Sequence, residues 1–199
     1  MMHTAPIAIN EEERAADTTL LLGFWIYLMT DFVLFASLFA VYAVLHGNTA
    51  GGPGSHEIFS APFVLIETLI LLASSFSCGL ALIAAREGNA KGTMVLLGFT
   101  AALGALFVGL EVNEFVHLAL AGEGWWQSGF LSAYFTLVGT HGLHVSIGLL
   151  WLFALIVSIG RAGLSRSNLR KIAMLTFFWH FLDIVWIFIF TIVYMMGLL

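Results

Sequence analysis

Hydrophobic residues dominate five long stretches of the chain, at about residues 19–46, 62–85, 92–120, 129–160 and 169–198. A bilayer hydrocarbon core about 30 Å thick needs roughly 20 mostly apolar residues at about 1.5 Å per helical residue. Each stretch is therefore long enough to cross a membrane. The composition agrees, because 60% of the residues are hydrophobic and only 10% are charged, against about 45–50% and about 25% in soluble domains. The pattern predicts an all-α polytopic membrane protein with five transmembrane helices.

Polar segments separate these stretches, and a polar tail precedes them. The predicted connections are residues 47–61, which include Pro53, and residues 86–91, 121–128 and 161–168. The tail is acidic, with Arg14 as its one basic residue, whereas a secretory signal opens with a basic segment. We therefore interpret residues 1–18 as a cytoplasmic tail and residues 19–199 as a single transmembrane domain.

The basic residues are distributed asymmetrically about the predicted helices. All seven lie in the tail, in the second and fourth connections or next to them: Arg14, Arg86, Lys91, Arg161, Arg166, Arg170 and Lys171. The first connection, the third connection and the C-terminus carry none. Lys and Arg concentrate in cytoplasmic segments of membrane proteins. The distribution predicts a cytoplasmic N-terminus and a periplasmic C-terminus.

Acids and histidines lie inside the predicted helices, whereas Lys and Arg occur only outside them or at their ends. The acids and histidines are Asp31, Glu67, Glu111, Glu114, Asp183, His117, His141, His144 and His180. An ionised acid at the bilayer centre costs about 2.5–3.5 kcal/mol on insertion scales. These groups must therefore face the protein interior, stay protonated or find partners, and histidine is the expected partner, alongside serine, threonine and backbone groups. By depth, Asp31, His144, His180 and Asp183 form a central polar layer, and Glu67, Glu111, Glu114 and His141 form an outer one.

Three interpretations of these polar residues remain open from the sequence. They are interhelical hydrogen bonds that fix packing, a proton or ion pathway, and ligation of haem or metal by the histidines. The pathway would make the chain a stand-alone transporter, yet all three prolines lie outside helix interiors and no internal repeat is visible. The ligation would make it a b-type cytochrome with His144 and His180 as ligands. Glu114 and His117 form one ExxH pair of the kind found in di-metal bundles, but a second pair is missing.

Other features exclude some classes and suggest close helix packing. The single cysteine, Cys78, excludes an internal disulfide framework, and the net charge of −5 offers no basic surface for nucleic acid. Small residues are frequent in Ala101–Gly109 and Gly139–Gly148. Such segments allow helices to approach closely, either within the bundle or against another subunit.

Two segments resemble signatures of subunit III of the haem-copper respiratory oxidases. Thr140–Val145 (THGLHV) resembles the HGLHV signature, and Phe178–Trp186 (FWHFLDIVW) resembles the WHF-x-D-x-VW signature. Asp31 matches an intramembrane carboxylate of the family, where many members have Glu, and Glu114 matches a second one. Glu67 and Glu111 fall where mitochondrial-type members carry neutral amides. The resemblance covers the chain from about residue 20 to its end, in a five-helix form that lacks the first two helices of the seven-helix version.

The resemblance implies a role that the residues by themselves do not name. The segments at 23–29, 50–53, 128–133 and 190–197 look most like bo-type ubiquinol oxidases, with menaquinol oxidases as the nearest rival. Family members in the bacterial inner membrane bind no haem or copper, which the catalytic subunit I holds. They pack against that subunit and the other oxidase subunits, bind phospholipid and sustain proton uptake. On this basis no residue here is expected to be catalytic or to hold a cofactor or metal.

Overall fold

The chain forms five long α-helices. In this computed structural model the described residues are 11–52, 54, 58, 61–195 and 197, with the backbone alone for 11–17 and 61. The helices are α1 (Glu11–Leu45), α2 (Ala61–Arg86), α3 (Ala90–Leu120), α4 (Gly129–Ala162) and α5 (Arg166–Ile189), and a π-helix (Phe190–Met195) follows. The described residues contain no strand. The predicted all-α class is confirmed.

All five helices contain a segment that is long and apolar enough to cross a membrane. These segments are Thr18–Leu45, Pro62–Arg86, Ala90–Leu120, Gly129–Ala162 and Arg166–Met195, with mean hydropathy of 2.0 to 2.2. The protein is therefore a multi-pass membrane protein, as the hydrophobic pattern predicts.

The ends of the first and last helices differ from the prediction. Helix α1 is already helical at Glu11, the first of the described residues, rather than from residue 19. Residues 1–10 of the predicted tail and Pro53 of the predicted first connection lie outside the described residues. Helix α5 begins at Arg166 rather than at residue 169, because Ser165 Oγ accepts a hydrogen bond of 3.2 Å from the Asn168 N–H.

The C-terminal end of the last helix also differs from the prediction, because Phe190–Met195 form a π-helix and not a continuation of α5. The π-helix opens the backbone after Ile189, an irregularity that a run of apolar residues does not reveal. Residues 196 and 198 of the predicted last helix lie outside the described residues.

The chain divides into two compact units, Met1–Leu34 and Phe35–Leu199. The described part of the first unit is the N-terminal portion of α1. In the second unit, α2 packs against α3 and α5, while α4 also packs against α3 and α5. The π-helix contacts α2 and α5. The candidate site described below, apart from Asp31, lies within this second unit.

A tryptophan of α5 occupies a slot between α3 and α4, which we call the Trp179 slot. An ideal Cβ on Gly104 of α3 would lie 2.9 Å from the Trp179 ring, and one on Gly148 of α4 would also lie 2.9 Å from it. Trp179 Nε1–H donates a hydrogen bond of 3.2 Å to Ser74 Oγ of α2. The small residues of α3 and α4 therefore pack inside the bundle at these two positions.

Hydroxyl groups join α2 to α3 across the bundle. Ser74 Oγ donates to the Thr100 carbonyl at 3.0 Å, and Ser77 Oγ donates to the Leu96 carbonyl at 3.0 Å. Serine can make such bonds because a helix carbonyl has a second lone pair available. These bonds hold α2 and α3 in register, and both helices carry acids of the outer polar layer.

Candidate functional site

Three glutamates of the predicted outer layer come together between α2, α3 and α4. Glu67 of α2 is 0% exposed and Glu111 of α3 is 3% exposed. Glu111 lies close enough to Glu67 and Glu114 to interact electrostatically with both. Spacing places Glu111 and Glu114 on one helix face, and the packing of α2 adds Glu67. We call these three residues the carboxyl cluster.

The carboxyl cluster depends on a glycine of α4. An ideal Cβ on Gly142 would lie 2.6 Å from Glu111 Oε2 and 2.7 Å from its carboxyl carbon. Any side chain at this position would have to displace the Glu111 carboxyl group. Gly142, which lies between the two histidines of the HGLHV segment, therefore provides the space that the carboxyl group of Glu111 fills.

The carboxyl cluster continues into a pair of buried tyrosines. Glu114 hydrogen-bonds Tyr134 of α4, and the Tyr134 and Tyr194 hydroxyls share a hydrogen bond of 3.1 Å. Both tyrosines are buried. Tyr194 lies in the π-helix. A chain of polar groups thus runs from α3 through α4 to the π-helix.

His141 does not bond the acids. Its ring packs on Trp186 with centroids 5.1 Å apart, and edge-on against Phe107 at 5.8 Å. It is 0% exposed, and neither ring nitrogen has a hydrogen-bond partner among the described residues. The expected hydrogen bond between this histidine and a carboxyl group is therefore absent, because aromatic rings from α3 and α5 surround the imidazole.

The other histidines of α3 and α4 face elsewhere. His144 Nδ1–H donates to the Thr140 carbonyl of its own helix at 2.7 Å, and its ring lies 5.2 Å from Phe35 between centroids. His117 is exposed at the protein surface. Glu114 points to Tyr134 and His117 points outward, so the ExxH pair does not converge on a common point.

His180 and Asp183 of the central layer meet a serine of α2. Ser75 Oγ and His180 Nδ1 share a hydrogen bond of 2.6 Å, and Asp183 is also in hydrogen-bonding range of Ser75. His180 Nε2 lies 3.7 Å from an ideal Cβ on Gly79, which is on α2 like Ser75. Both ring nitrogens therefore point at α2. This arrangement differs from a hydrolytic triad, where the acid bonds the second ring nitrogen of the histidine.

Asp31 belongs to the first compact unit. Its carboxyl group hydrogen-bonds Tyr27, one helical turn earlier on α1. The side chain is 8% exposed. Across the part of the chain that the structure describes, no set of three or more His, Cys, Asp or Glu side chains is arranged to hold a metal ion.

Sequence reasoning identified the acids and histidines and expected serine or threonine among their partners, but it did not single out Ser75 and it missed the tyrosine hydroxyl groups. Tyr134 and Tyr194 complete the outer layer, and Ser75 completes the central one. One signal was available for the tyrosines. A buried tyrosine usually finds a hydrogen-bond partner, and both lie in segments that otherwise contain mostly apolar residues.

Comparison with known proteins places this arrangement in a family. The family described as cytochrome c oxidase subunit III matches residues 9–198. A cytochrome bo(3) ubiquinol oxidase subunit 3 of Pseudomonas aeruginosa is 56% identical over 177 residues, which is 89% of this chain and 85% of the relative. A quinol oxidase subunit 3 of Bacillus spizizenii is 47% identical over 178 residues, covering 89% of this chain and 87% of the relative.

A third relative extends the comparison to a different class of oxidase. A cytochrome c oxidase subunit 3 of Bacillus sp. is 42% identical over 195 residues, or 98% of this chain and 94% of the relative. The match thus spans all five helices. This chain belongs to the cytochrome c oxidase subunit III family.

Proposed function

We propose that this chain is the non-catalytic subunit III of a proton-pumping quinol:oxygen oxidase, with ubiquinol as the electron donor of the complex. The observation that carries the proposal is the 56% identity to a relative named as a ubiquinol oxidase subunit 3. Identity to a cytochrome c oxidase subunit 3 is lower, at 42%. This difference favours the quinol-oxidising branch of the family.

Two further observations favour a structural role for this chain over a redox role. His144 bonds a carbonyl of its own helix, and both nitrogens of His180 face α2. These contacts use the histidines for packing. In this proposal the haems and copper reside in the catalytic subunit I, which this chain stabilises together with the other oxidase subunits.

We place the chain in the bacterial inner membrane with its N-terminus in the cytoplasm and its C-terminus in the periplasm. Arg86 and Lys91 flank the α2–α3 turn, and Arg161 and Arg166 flank the α4–α5 turn. Since consecutive membrane helices alternate in direction, these two turns lie on the same side. The positive-inside rule makes that side cytoplasmic.

Phospholipid is the second partner in the proposal. Helix α1 exposes a row of apolar side chains within the first compact unit, where Trp25, Ile26, Met29 and Val33 line a shallow groove of about 470 Å³. Acyl chains match such a surface. Bound lipid and packing against subunit I together would keep proton uptake by the catalytic subunit stable over many turnovers.

The experiment compares the oxidase purified with this chain and without it. We expect the complex without the chain to keep its haem absorption and its initial rate of quinol oxidation. It should lose activity faster during sustained turnover, and adding the chain back with phospholipid should restore the lifetime. Loss of haem absorption in proportion to loss of this chain would refute a non-redox role.

The stand-alone transporter is tested separately with the chain alone in sealed vesicles. The proposal expects no proton conduction above that of empty vesicles. Proton flux from this chain in the absence of the other subunits would favour the transporter instead.

A further inference from the structure

Glu67 and Glu111 are buried acids without hydrogen-bond donors. Neither oxygen of Glu67 has a hydrogen-bond partner among the described residues, and neither does Oε2 of Glu111. Both side chains are more than nine-tenths buried. Unsatisfied polar atoms are uncommon in folded proteins, and each one calls for a donor, a water or an ion.

The surroundings supply no positive charge to these two acids. The basic residues of the described chain lie at the ends of the helices or in the turns. The titratable groups that interact electrostatically with Glu111 are Glu67, Glu114 and Tyr134. Tyr194 also interacts electrostatically with Glu67. Glu114 already has the Tyr134 hydroxyl as its donor. Tyr134 and Tyr194 share a hydrogen bond with each other, and the His141 ring packs against Phe107 and Trp186 and bonds neither acid. The hydrogen-bond donor that Glu67 and Glu111 lack is therefore left to the two carboxyl groups themselves or to a bound species.

The position of Glu111 is defined rather than incidental. Its carboxyl group fills the space above Gly142, with Oε2 only 2.6 Å from an ideal Cβ on that glycine. Because Gly142 has no side chain, α4 leaves room for the Glu111 carboxyl group next to the other acids of the carboxyl cluster. Glu67 reaches the same region from α2, so the two acids approach each other from different helices.

We propose that Glu67 and Glu111 form a proton-binding site inside the bundle that retains at least one proton at neutral pH. A carboxyl group carries a donor only when it is protonated. Two carboxylates that share a site also repel each other, which disfavours ionisation of both. One proton between them supplies the missing donor and removes one buried charge. The site is a property of this chain's own helices and does not depend on the proposed role in an oxidase.

The test is an infrared count of neutral and ionised carboxyl groups in membranes or purified complex that contain the chain. The spectrum of the wild-type protein is compared with that of the double variant Glu67→Gln/Glu111→Gln. We expect the double variant to lose at least one carbonyl-stretch signal of a protonated carboxyl group, and that signal should shift when H2O is replaced by D2O. Glutamine preserves size and shape, so the comparison isolates the ionisable groups.

Glu87→Gln is the matched control, because Glu87 is exposed in the α2–α3 turn. This variant should lose a signal of an ionised carboxylate and no signal of a protonated carboxyl group. If the double variant behaves like this control, both acids are ionised and the proposal is overturned. The proposal is also overturned if both acids are ionised at neutral pH and their carboxylate signals shift on addition of Na⁺, because the bound species would then be a cation and not a proton.

A second measurement covers the case in which the double variant does not assemble. The wild-type chain is labelled with ¹³C-glutamate, and solid-state NMR identifies carboxyl carbons that are in dipolar contact with each other. We expect one such pair in which at least one carbon has the chemical shift of a neutral carboxyl group. A contacting pair with two ionised shifts would overturn the proposal.

Discussion

Replacing Gly148 by alanine tests the Trp179 slot. The added Cβ would lie 2.9 Å from the Trp179 ring and 3.1 Å from Phe178, whereas carbon atoms pack best at about 3.5–4.0 Å. The ring cannot retreat freely, because it also packs against Gly104, where an ideal Cβ would lie 2.9 Å from it, and its Nε1–H bonds Ser74 Oγ. Overpacking of this kind costs about 1–3 kcal/mol of folding free energy.

Gly160→Ala on the same helix is the matched control. An ideal Cβ on Gly160 meets nothing within 4 Å, so this variant gains the helix propensity of alanine, up to about 1 kcal/mol, without a clash. We expect Gly148→Ala to be less stable than Gly160→Ala by at least the overpacking cost. The measurement is the denaturation midpoint of the purified protein in mixed micelles at rising SDS fraction.

A double-mutant cycle separates the clash from other effects of the substitution. In a Trp179→Phe background the smaller ring leaves room for the alanine, although the bond to Ser74 is lost. Gly148→Ala should therefore cost less in that background than in the wild type. Equal midpoints for Gly148→Ala and Gly160→Ala in the wild type would refute the packing argument.

Three other contacts give predictions of the same kind. Trp186 Nε1–H donates to Thr68 Oγ1 at 3.0 Å, so a Trp186→Phe/Thr68→Val cycle should show a coupling of about 0.6 kcal/mol, up to about 1.7, in SDS denaturation. Tyr194→Phe removes only the hydroxyl bond to Tyr134, whereas Tyr134→Phe also removes the donor to Glu114, so Tyr134→Phe should lower the SDS denaturation midpoint more than Tyr194→Phe. Asp183→Asn should reduce the amount of this chain in the purified complex more than the turnover per haem, and normal assembly with abolished electron transfer would contradict that.

The helices were predictable from the sequence because their signal is long and local. Hydrophobic stretches of this length leave few alternatives to membrane helices, and the turn at residues 121–128 has the predicted bounds because Leu120 ends α3 and Gly129 begins α4. The start of α1 was not predictable in the same way. A charged helical turn such as the one that begins at Glu11 looks like a polar tail when hydrophobicity is the only criterion.

The acids and histidines of the candidate site were predictable from the sequence, but the side chains that contact them were less so. Helical spacing pairs Glu111 with Glu114, but the approach of Glu67 depends on how α2 packs against α3. His141 shows the limit most clearly. Its buried position followed from the sequence, yet its neighbours are the rings of Phe107 and Trp186, and no local pattern indicates which helix faces meet.

The contacts of α5 also bear on the order in which the protein can be made. Four side chains of α5 bond side chains of α2. The pairs are Trp179 with Ser74, His180 with Ser75, Trp186 with Thr68, and Thr176 with Cys78. The ribosome releases α5 after the other four helices, since synthesis proceeds from the N-terminus. During membrane insertion these α2 side chains therefore gain their α5 partners only when the final helix arrives, whereas Ser74 can already donate to the Thr100 carbonyl of α3. Biogenesis of the bundle ends with one docking event, in which α5 enters between helices already in the bilayer and closes the interior.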